Sequence, residues 1–424
     1  MALAEETILS DDFLRELINV GEVDILVGVP TYNDGRTVAQ VVQAIRAGLV
    51  KYFPRQRAVI INADGGSRDD TRDLVRAASI SDVQHTGSLQ ALRTLHSIST
   101  RYPGQPSTGT ALHTILSAAE LLRASSCAVI SPESTNIEPE WIERLLRPVS
   151  RDGFDLVSPT YRRHKFDGLL VRNLVYPMTR ALYSKRVREP YPSDFAFSSR
   201  LGSHFLAQDI WSHDVGHTGT EIAMTIAAIT GGFRMAQTFL GEKSRADHGP
   251  ADVVHAMRQT AGALFWSLEP NYPAWSAATE SQPIPTFGPE FEVDLEPLRI
   301  NRKRLFEMFK HGVAELQPVL KSLLTPATLA ELQRITGLPE QEFCFSDQLW
   351  VRTVYEFTNA YHKEVINRDH IVQAMVPLYR GRAYCFLNEN RDASGPNVEA
   401  SIENLCMTFE RSKPYLLELW NAGK

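Results

Sequence analysis

The apolar residues of this chain follow two patterns that change along its length. Between residues 24 and 240, short apolar runs alternate with longer segments in which apolar positions recur every three or four residues. Such runs are typical of buried strands, and such segments are typical of amphipathic helices. The alternation predicts an α/β fold in which helices cover both faces of a mostly parallel sheet.

The strands and helices of this part can be predicted with approximate bounds. Between Arg188 and Gly219 the pattern becomes irregular and rich in Pro, Ser, His and Asp. We expect strands at residues 24–30, 58–62, 127–131, 154–160 and 233–240, and helices at residues 37–45, 71–78, 109–123, 169–182 and 220–230.

Helical periodicity dominates from Leu298 onward and predicts a mainly helical C-terminal region. Five prolines between residues 270 and 292 are too many for helix interiors, so this segment is predicted to be a linker. The predicted division is an N-terminal arm or helix at 1–23, an α/β domain at 24–269, a Pro-rich linker at 270–292 and a helical domain at 293–424.

Composition and charge exclude several classes of protein. No window approaches the ~20 uninterrupted apolar residues of a membrane-spanning helix. The chain has 44 basic and 50 acidic residues, and its net charge of −6 argues against a general nucleic-acid binder. The four cysteines form no CxxC pair, so neither a disulfide framework nor a thiolate zinc site is indicated. The first residues show no secretory pattern, and we expect a cytoplasmic protein.

Polar residues follow three of the predicted strands, at residues 30–34, 64–71 and 131–135. In an open parallel sheet, ligands bind outside the carboxyl ends of the strands. The second segment combines Asp64 at a strand end, two glycines that let a ligand approach the backbone, and Ser67 at the start of a helix. An N-capped helix after a tight turn explains this segment equally well.

The order and spacing of two motifs resemble the nucleotide-binding half of a GT-A glycosyltransferase. They are Val-Pro-Thr-Tyr-Asn-Asp at 29–34 and Asn-Ala-Asp-Gly-Gly-Ser-Arg-Asp-Asp-Thr at 62–71. The runs at 158–168 and 188–196 make the chain similar to retaining enzymes of the glucosyl-3-phosphoglycerate, glucosylglycerate and mannosylglycerate synthase group. The resemblance covers residues 24–255 and implies a Rossmann-like GT-A domain.

The resemblance also implies an activity and roles for individual residues. The chain would move glucose, or mannose, from a nucleotide diphosphate sugar to a small acidic acceptor such as glycerate or 3-phosphoglycerate, making a compatible solute or a polysaccharide primer. Nucleotide-sugar binding would fall to Pro30, Tyr32, Asn33, Asp34, Asp64, Ser67, Gly109 and Ser131. Acceptor binding would fall to Arg162, Arg163, His164, Arg188, Asp194, His217 and Glu221, and the catalytic carboxylates would be Glu221 and Asp194.

The resemblance further implies that Glu133 and His248 hold Mg²⁺ or Mn²⁺. Such an ion would stabilise the leaving diphosphate as a Lewis acid, and oxygen and imidazole ligands suit it. In the mechanism implied by the family, a phosphate oxygen accepts the proton of the acceptor hydroxyl, so no enzymic nucleophile is required. The basic run at 162–165 would meet the acidic acceptor, with a solvated loop as the alternative.

Departures from the motifs of the family leave two alternatives open. Ser131 stands where the family has the first Asp of Asp-x-Asp, and Pro192-Ser193-Asp194 stands where it has Gly-Gly-Glu/Asp. One alternative is a non-catalytic or metal-independent nucleotide-sugar-binding paralogue. The other is a glycosyltransferase that acts on a polymer or lipid-linked acceptor. We expect a homodimer, no nucleic-acid partner and no stable membrane insertion.

Overall fold

The structure is a computed structural model that describes residues 8–80, 95–244, 252–290 and 300–422. The chain forms two compact units: Met1–Arg162, Pro192–Gly249 and Ile284–Val293 form the first, and Arg163–Tyr191, Pro250–Pro283 and Asp294–Lys424 form the second. The predicted contiguous division does not coincide with this one, because compact units arise from contacts in space and not from continuity of the chain.

Eight strands of the described residues form one sheet in the first unit. They are β1 (Ile25–Thr31), β2 (Ala58–Asp64), β3 (Leu95–Arg101), β4 (Ser126–Val129), β5 (Leu156–Arg162), β6 (Phe195–Ser198), β7 (Met235–Glu242) and β8 (Thr286–Phe287). Their order across the sheet is β3-β2-β1-β4-β6-β5-β7-β8. Strand β6 runs antiparallel to both of its neighbours, whereas the other pairs are parallel. The predicted mostly parallel sheet is therefore confirmed.

The α-helices of the described ranges are numbered in chain order. Helices α1–α5, α7 and α8 belong to the first unit, and α6 and α9–α17 belong to the second. They are α1 (Asp11–Val20), α2 (Val38–Tyr52), α3 (Thr71–Ile80), α4 (Thr108–Leu121), α5 (Pro139–Ser150), α6 (Tyr176–Tyr183), α7 (Ser199–Leu206), α8 (Thr220–Thr230), α9 (Val253–Met257), α10 (Ala263–Leu268), α11 (Tyr272–Ala277), α12 (Arg302–Glu315), α13 (Gln317–Leu323), α14 (Pro326–Thr336), α15 (Asp347–His362), α16 (Arg368–Glu389) and α17 (Gly395–Asn421). The mainly helical C-terminal region is therefore confirmed.

Helices cover both faces of the sheet, and β1 shows why. Successive side chains of a strand point to opposite faces. Val27 and Val29 join the core that the sheet forms with α2 and α5. Gly28 lies on the opposite face, where a Cβ atom would come within 2.5 Å of Ile115 of α4. A glycine at this position therefore lets α4 lie directly against the strand.

Several elements of the first unit were not predicted. Strand β3 reads Leu-His-Ser-Ile-Ser-Thr-Arg and is only partly buried at the edge of the sheet, so it lacks a continuous apolar run. Strand β6 is four residues long and lies within the segment that looked irregular. Helix α5 carries an apolar stripe, including Trp141, Ile142 and Leu145, that periodicity would have identified.

The predicted Pro-rich linker contains regular structure. Helix α11 carries Pro273 in its first turn, where a missing backbone N–H costs nothing, and Trp275 on the same helix is fully buried. Strand β8 pairs with β7 and extends the sheet. Proline content predicted a linker because it excludes long helices, but it does not exclude a one-turn helix or an edge strand.

Buried aromatic and charged side chains organise the second unit. Trp350 and Phe345 pack edge to face, and the indole N–H of Trp350 donates to the carbonyl oxygen of Asn173 (2.9 Å). Arg180 is 1% exposed and donates to carboxylate oxygens of Glu403 and Glu410 at 2.6–2.7 Å. Two carboxylates neutralise this buried guanidinium, as a charge inside a protein requires. None of the helices in the described ranges is both long and apolar enough to cross a bilayer.

The fold predicts a strong penalty for a side chain at Gly109. A Cβ atom there would lie 1.7 Å from the carbonyl oxygen of Gly216, so one of the two segments must move. We expect Gly109→Ala to lower the free energy of unfolding by about 1–3 kcal/mol or more, measured by urea denaturation. Gly395→Ala is the control, because a Cβ atom there meets nothing within 4 Å. Equal unfolding midpoints for the two variants would contradict this packing.

Candidate functional site

The carboxyl ends of the parallel strands define one edge of the sheet, and most of the predicted site residues lie there. Thr31, Asp64 and Arg101 end strands β1, β2 and β3 and stand side by side in the register. The chain order reverses between β1 and β4, which are neighbours in the sheet. Such a reversal opens a crevice between the loops that follow the two strands, and ligands of open α/β sheets bind in it.

The carboxylate of Asp64 holds the turn that follows β2. Its Oδ1 atom accepts hydrogen bonds from the backbone N–H groups of Gly66 and Ser67 (both 2.9 Å). Its Oδ2 atom accepts from the hydroxyls of Ser67 (2.6 Å) and Thr31 (3.0 Å). Asp64 is fully buried, so its immediate effect is to shape the two strand ends.

Hydrogen bonds join the loop after β1 to the loop after β2. The Asn33 N–H donates to the Ser67 hydroxyl (2.9 Å), and the Asn33 side chain accepts from the Arg68 N–H (2.9 Å). Asn33 has a φ of 60°, a left-handed conformation that asparagine tolerates better than most residues. Asp34 continues the connection, because its N–H donates to the hydroxyl of Thr71 (2.8 Å). We call these contacts the loop latch.

Asp194 is the centre of a buried polar cluster on the other side of the crevice. Its Oδ1 atom accepts from the Ser131 N–H (2.9 Å), and its Oδ2 atom accepts from the hydroxyls of Tyr161 (2.6 Å) and Ser193 (3.0 Å). Lys243 forms an ion pair with the same oxygen (3.4 Å) and also donates to Ser193. The side chains of Asp194 and Lys243 are 0% and 5% exposed. We call these five residues the Asp194 cluster.

The Asp194 cluster connects strand ends that are distant in sequence. Ser131 follows β4, Tyr161 lies near the end of β5, Asp194 precedes the antiparallel β6, and Lys243 follows β7. Because β6 is reversed, its beginning meets the carboxyl ends of its neighbours. A single buried carboxylate therefore positions the start of the loop that carries Glu133.

A second set of bonds fixes the same loop further along. Thr135 bonds to Ser244 through both its N–H (3.2 Å) and its hydroxyl (2.8 Å). Asn136 donates to the carbonyl oxygen of Glu242 (2.8 Å) and accepts from the Ser244 N–H (3.2 Å). The half-buried Glu133 thus lies between two anchored points, and its own N–H donates to the hydroxyl of Ser131 (3.3 Å).

A third group forms where α4 begins. The Gly216 carbonyl occupies the space that a Gly109 side chain would need, and His217 Nδ1 lies 3.3 Å from the hydroxyl of Thr110. Glu221 is 7% exposed in the first turn of α8, where the helix dipole favours a carboxylate. Gly109 thus allows a close backbone approach, next to two polar side chains that the resemblance assigns to the acceptor.

The basic residues expected to meet an acidic acceptor have carboxylate partners where they lie in the second unit. Arg163 donates to Glu189 from Nε (3.0 Å) and Nη2 (2.8 Å), and to Asp167 from Nη1 (2.9 Å). Arg188 pairs with Glu399. Arg163 is thus paired with two carboxylates, whereas Arg188 shares Glu399 with Arg172, and the assignment of both arginines to the acceptor stays a prediction. Arg162, which ends β5, belongs to the first unit.

Lys165 and His164, which follow Arg163 in the chain, offer no free positive charge to an acceptor either. Lys165 donates to the carbonyl oxygens of Asn390 (3.2 Å), Arg391 (2.6 Å) and Ala393 (3.0 Å), near the end of α16. A cation at a helix C-terminus satisfies carbonyl groups that lack an intrahelical partner. Burial and the nearby Lys165 charge lower the pKa of His164 below its ordinary value, so this imidazole is neutral at pH 7 and supplies no positive charge.

The described residues contain one predicted metal ligand, Glu133, and His248 lies outside the described ranges. Within those ranges no group of three His, Cys, Asp or Glu side chains could hold a metal ion. Asp194 does not fit as a second ligand, because it is fully buried and paired with Lys243. One protein carboxylate fits an ion such as Mg²⁺ that is held mainly by substrate phosphates and water.

Tyr161, Lys243 and Thr31 were missed as site residues by reasoning from the sequence. Thr31 ends β1, Tyr161 is the next-to-last residue of β5, and Lys243 directly follows β7. The rule that directs attention to strand ends would therefore have found them. Their contacts with Asp194 and Asp64, however, depend on the antiparallel β6 and on the strand order.

Comparison with known proteins gives structural neighbours. No protein-family model matches the chain, and no curated protein matches it. The chain is similar to glucosyl-3-phosphoglycerate synthase from Mycobacterium tuberculosis in complex with Mg²⁺ and UDP, with 23% identity over 60% of this chain and 83% of that chain and a TM-score of 0.43. For the complex of that enzyme with Mn²⁺, UDP-glucose and glycerol 3-phosphate, the identity is 21%, the coverage 62% and 86%, and the TM-score 0.41. The fold and the contacts described above rest on the chain itself.

The Asp194 cluster predicts a large loss of stability when its cation is removed. Lys243→Met leaves the buried carboxylate of Asp194 without its counter-charge, and we expect the free energy of unfolding to fall by about 3–5 kcal/mol in urea denaturation. Adding Asp194→Asn to this variant removes the unpaired charge and should restore part of the loss.

Lys51→Met is the matched control for this prediction. Lys51 also pairs with a carboxylate, Glu140 (2.7 Å), but its side chain is 57% exposed. We expect a much smaller effect, because water screens an exposed pair. Equal losses for the two lysine variants, or a double variant that is no better than Lys243→Met, would contradict the role given to the buried pair.

Proposed function

We propose that this chain is a retaining glycosyltransferase that moves glucose, or mannose, from a nucleotide diphosphate sugar to a small acidic acceptor such as glycerate or 3-phosphoglycerate. The observation that carries the proposal is the position of Glu133. It lies on a doubly anchored loop at the point where the strand order reverses, across from the latched loops of β1 and β2. This arrangement sets a carboxylate beside a preformed crevice.

The loop latch supports binding of the nucleotide. Asn33 and Ser67 hold two loops at the crevice, and the side chain of Tyr32 remains 44% exposed beside them. An exposed aromatic ring offers a base a surface for stacking. A Cβ atom on Gly65 would lie 2.6 Å from the Tyr102 hydroxyl and one on Gly66 2.8 Å from Arg101 Nε, so these glycines let Tyr102 and Arg101 pack against the loop. We assign Asp64 to holding this turn, because its oxygens already accept four hydrogen bonds.

Glu133 is the proposed ligand of Mg²⁺ or Mn²⁺. A bound ion would stabilise the negative charge that develops on the leaving diphosphate. We propose His248 as the second ligand; the described chain reaches Ser244, which is bonded to Thr135 of the Glu133 loop. The Asp194 cluster then positions Glu133 and does not itself contact the substrate. His217 and Glu221 remain the predicted acceptor residues, and a cytoplasmic location and a homodimer remain predictions.

A non-catalytic nucleotide-sugar-binding protein is the second candidate. It is favoured by the burial of Asp194, which was predicted to be catalytic but is paired with Lys243. Ser131, in place of the first Asp of the motif, uses its N–H to hold Asp194 and its hydroxyl to accept from Glu133. The two candidates differ in whether a donor that binds is also turned over.

The proposal predicts a metal-dependent response to one sugar nucleotide. UDP-glucose, GDP-glucose and GDP-mannose are screened by thermal shift with Mn²⁺, Mg²⁺ or EDTA, because binding to the native state raises the melting temperature. In Glu133→Gln we expect the metal-dependent part of the shift to disappear and turnover to fall by at least about 100-fold. Glu138→Gln is the matched control, because Glu138 is exposed in the same loop and makes no side-chain cap bond.

The outcomes of this screen test both candidate functions. Stabilisation by a donor without product from glycerate or 3-phosphoglycerate would favour the non-catalytic role. Stabilisation by none of the donors would contradict both candidates. Metal-dependent turnover that is unchanged in Glu133→Gln would remove the observation on which the proposal rests.

His248→Ala tests the second proposed metal ligand separately. We expect a weaker apparent affinity for Mn²⁺ in the turnover assay, by about 10-fold or more, with the donor still bound. His255→Ala is the control, because His255 is an exposed histidine seven residues further along the chain. Identical metal titrations for the two variants would exclude His248 as a ligand and leave Glu133 to be judged by its own variant.

A further inference from the structure

Helices α12 and α16 of the second unit touch at two glycines. A Cβ atom on Gly312 would come within 2.5 Å of the Pro377 ring, and a Cβ atom on Gly381 would come within 2.5 Å of the Phe309 ring. The two contacts run in opposite directions along the helices, so the helices pack antiparallel. Without side chains at the glycines, the backbones approach more closely here than at positions with larger residues.

A cavity of about 540 Å³ lies beside this crossing. Its volume falls within the range of pockets that bind small organic molecules, about 300–1,000 Å³. Apolar side chains from four parts of the second unit line it: Val254, Met308, Leu316, Val319, Ile366 and Ala374. All of its lining residues belong to the second unit.

Much of this apolar lining remains in contact with water. Met308, Leu316, Val319 and Ile366 are each only half-buried, although the helices that carry them pack well elsewhere. Gly312 and Ala374 are the small residues of the wall. An apolar ligand body in the cavity would remove this surface from water, which is the main source of affinity in such pockets.

Arg380 is the arginine in the lining of the cavity. It is half-buried, and among the described residues it forms no ion pair and no hydrogen bond. The carboxylate of Glu315, also in the lining, pairs with His311 (3.0 Å) at the exposed mouth. His370 is exposed as well. Burial and the nearby Arg304 lower the pKa of Arg380, but an arginine stays protonated, so its positive charge faces the cavity without an ion-pair partner in the described ranges.

We propose that this cavity binds a small amphiphile with a single carboxylate, of the fatty-acid type. The carboxylate meets the guanidinium of Arg380, and the apolar body lies against Met308, Leu316, Val319 and Ile366. The planar fork of an arginine matches a carboxylate with two parallel hydrogen bonds. The guanidinium of Arg380 calls for a negative charge, and the pocket volume fits a small molecule.

Isothermal titration of the full-length protein with decanoate and with decanol tests this proposal. We expect decanoate to bind with a dissociation constant below about 1 mM and more tightly than decanol. Arg380→Gln should weaken decanoate binding by about 10-fold or more, because a charge-assisted pair is lost, and should leave decanol binding unchanged. Arg334→Gln is the matched control, since Arg334 is an exposed arginine on α14 outside the cavity lining.

A second variant tests the apolar wall. Val319 is half-buried on the short helix α13, and Val319→Asp places a charge among the apolar residues. We expect both decanoate and decanol to bind at least about 10-fold more weakly, with an unchanged circular dichroism spectrum. This variant keeps the proposal testable if Arg380→Gln proves unstable.

Four outcomes would overturn the proposal. One is the absence of decanoate binding, and another is equal decanoate binding by the parent, Arg380→Gln and Val319→Asp. The third is association with phosphatidylcholine–phosphatidylglycerol vesicles but not with monomeric decanoate, which would assign the surface to a membrane. A dimer that dissociates in Val319→Asp, combined with failure to bind decanoate, would assign it to a second copy of the chain.

Discussion

The buried ion pair between Asp194 and Lys243 is the interaction on which the candidate site depends. A carboxylate away from water is stable only when its charge is neutralised and its oxygens are hydrogen-bonded, and here Ser131, Tyr161 and Lys243 meet both needs. Each partner comes from a different strand end. Because these partners surround one carboxylate, their contacts with Asp194 hold the ends of β4, β5, β6 and β7 together. The same contacts fix the position of the Glu133 loop.

The two sides of the crevice are held in different ways. On the β1–β2 side, the loop latch consists of hydrogen bonds from backbone N–H groups to neutral side chains, and Tyr32 stays exposed. On the other side, the Asp194 cluster is buried and charged. Glu133, the proposed metal ligand, is half-buried between Ser131 and the bonded pair Thr135 and Ser244. Rigid support next to an accessible carboxylate is the arrangement that preorganised binding requires.

Sequence patterns predicted some elements of the fold well and others not at all. Helix α8 was predicted with its observed bounds, and β1 and β2 were found because buried parallel strands are continuous apolar runs. Strand β3, partly polar at the sheet edge, and β6, only four residues long, give no such run. For the site, strand-end polarity pointed to Asn33, Asp64 and Ser131. It did not separate residues that shape the site, such as Asp64 and Asp194, from residues that face a ligand.

The amino-acid sequence by itself determined the alternation of strands and helices, the polar strand ends and the resemblance of the motifs, because these depend on neighbours within a few residues. Only the tertiary structure decided which charges are already compensated. Arg163 and Asp194 looked equally available in sequence, yet Arg163 pairs with Glu189 and Asp194 with Lys243. Arg380, by contrast, has no partner among the described residues. Compensation requires two side chains within about 4 Å, and such pairs form between positions that the chain separates by tens of residues.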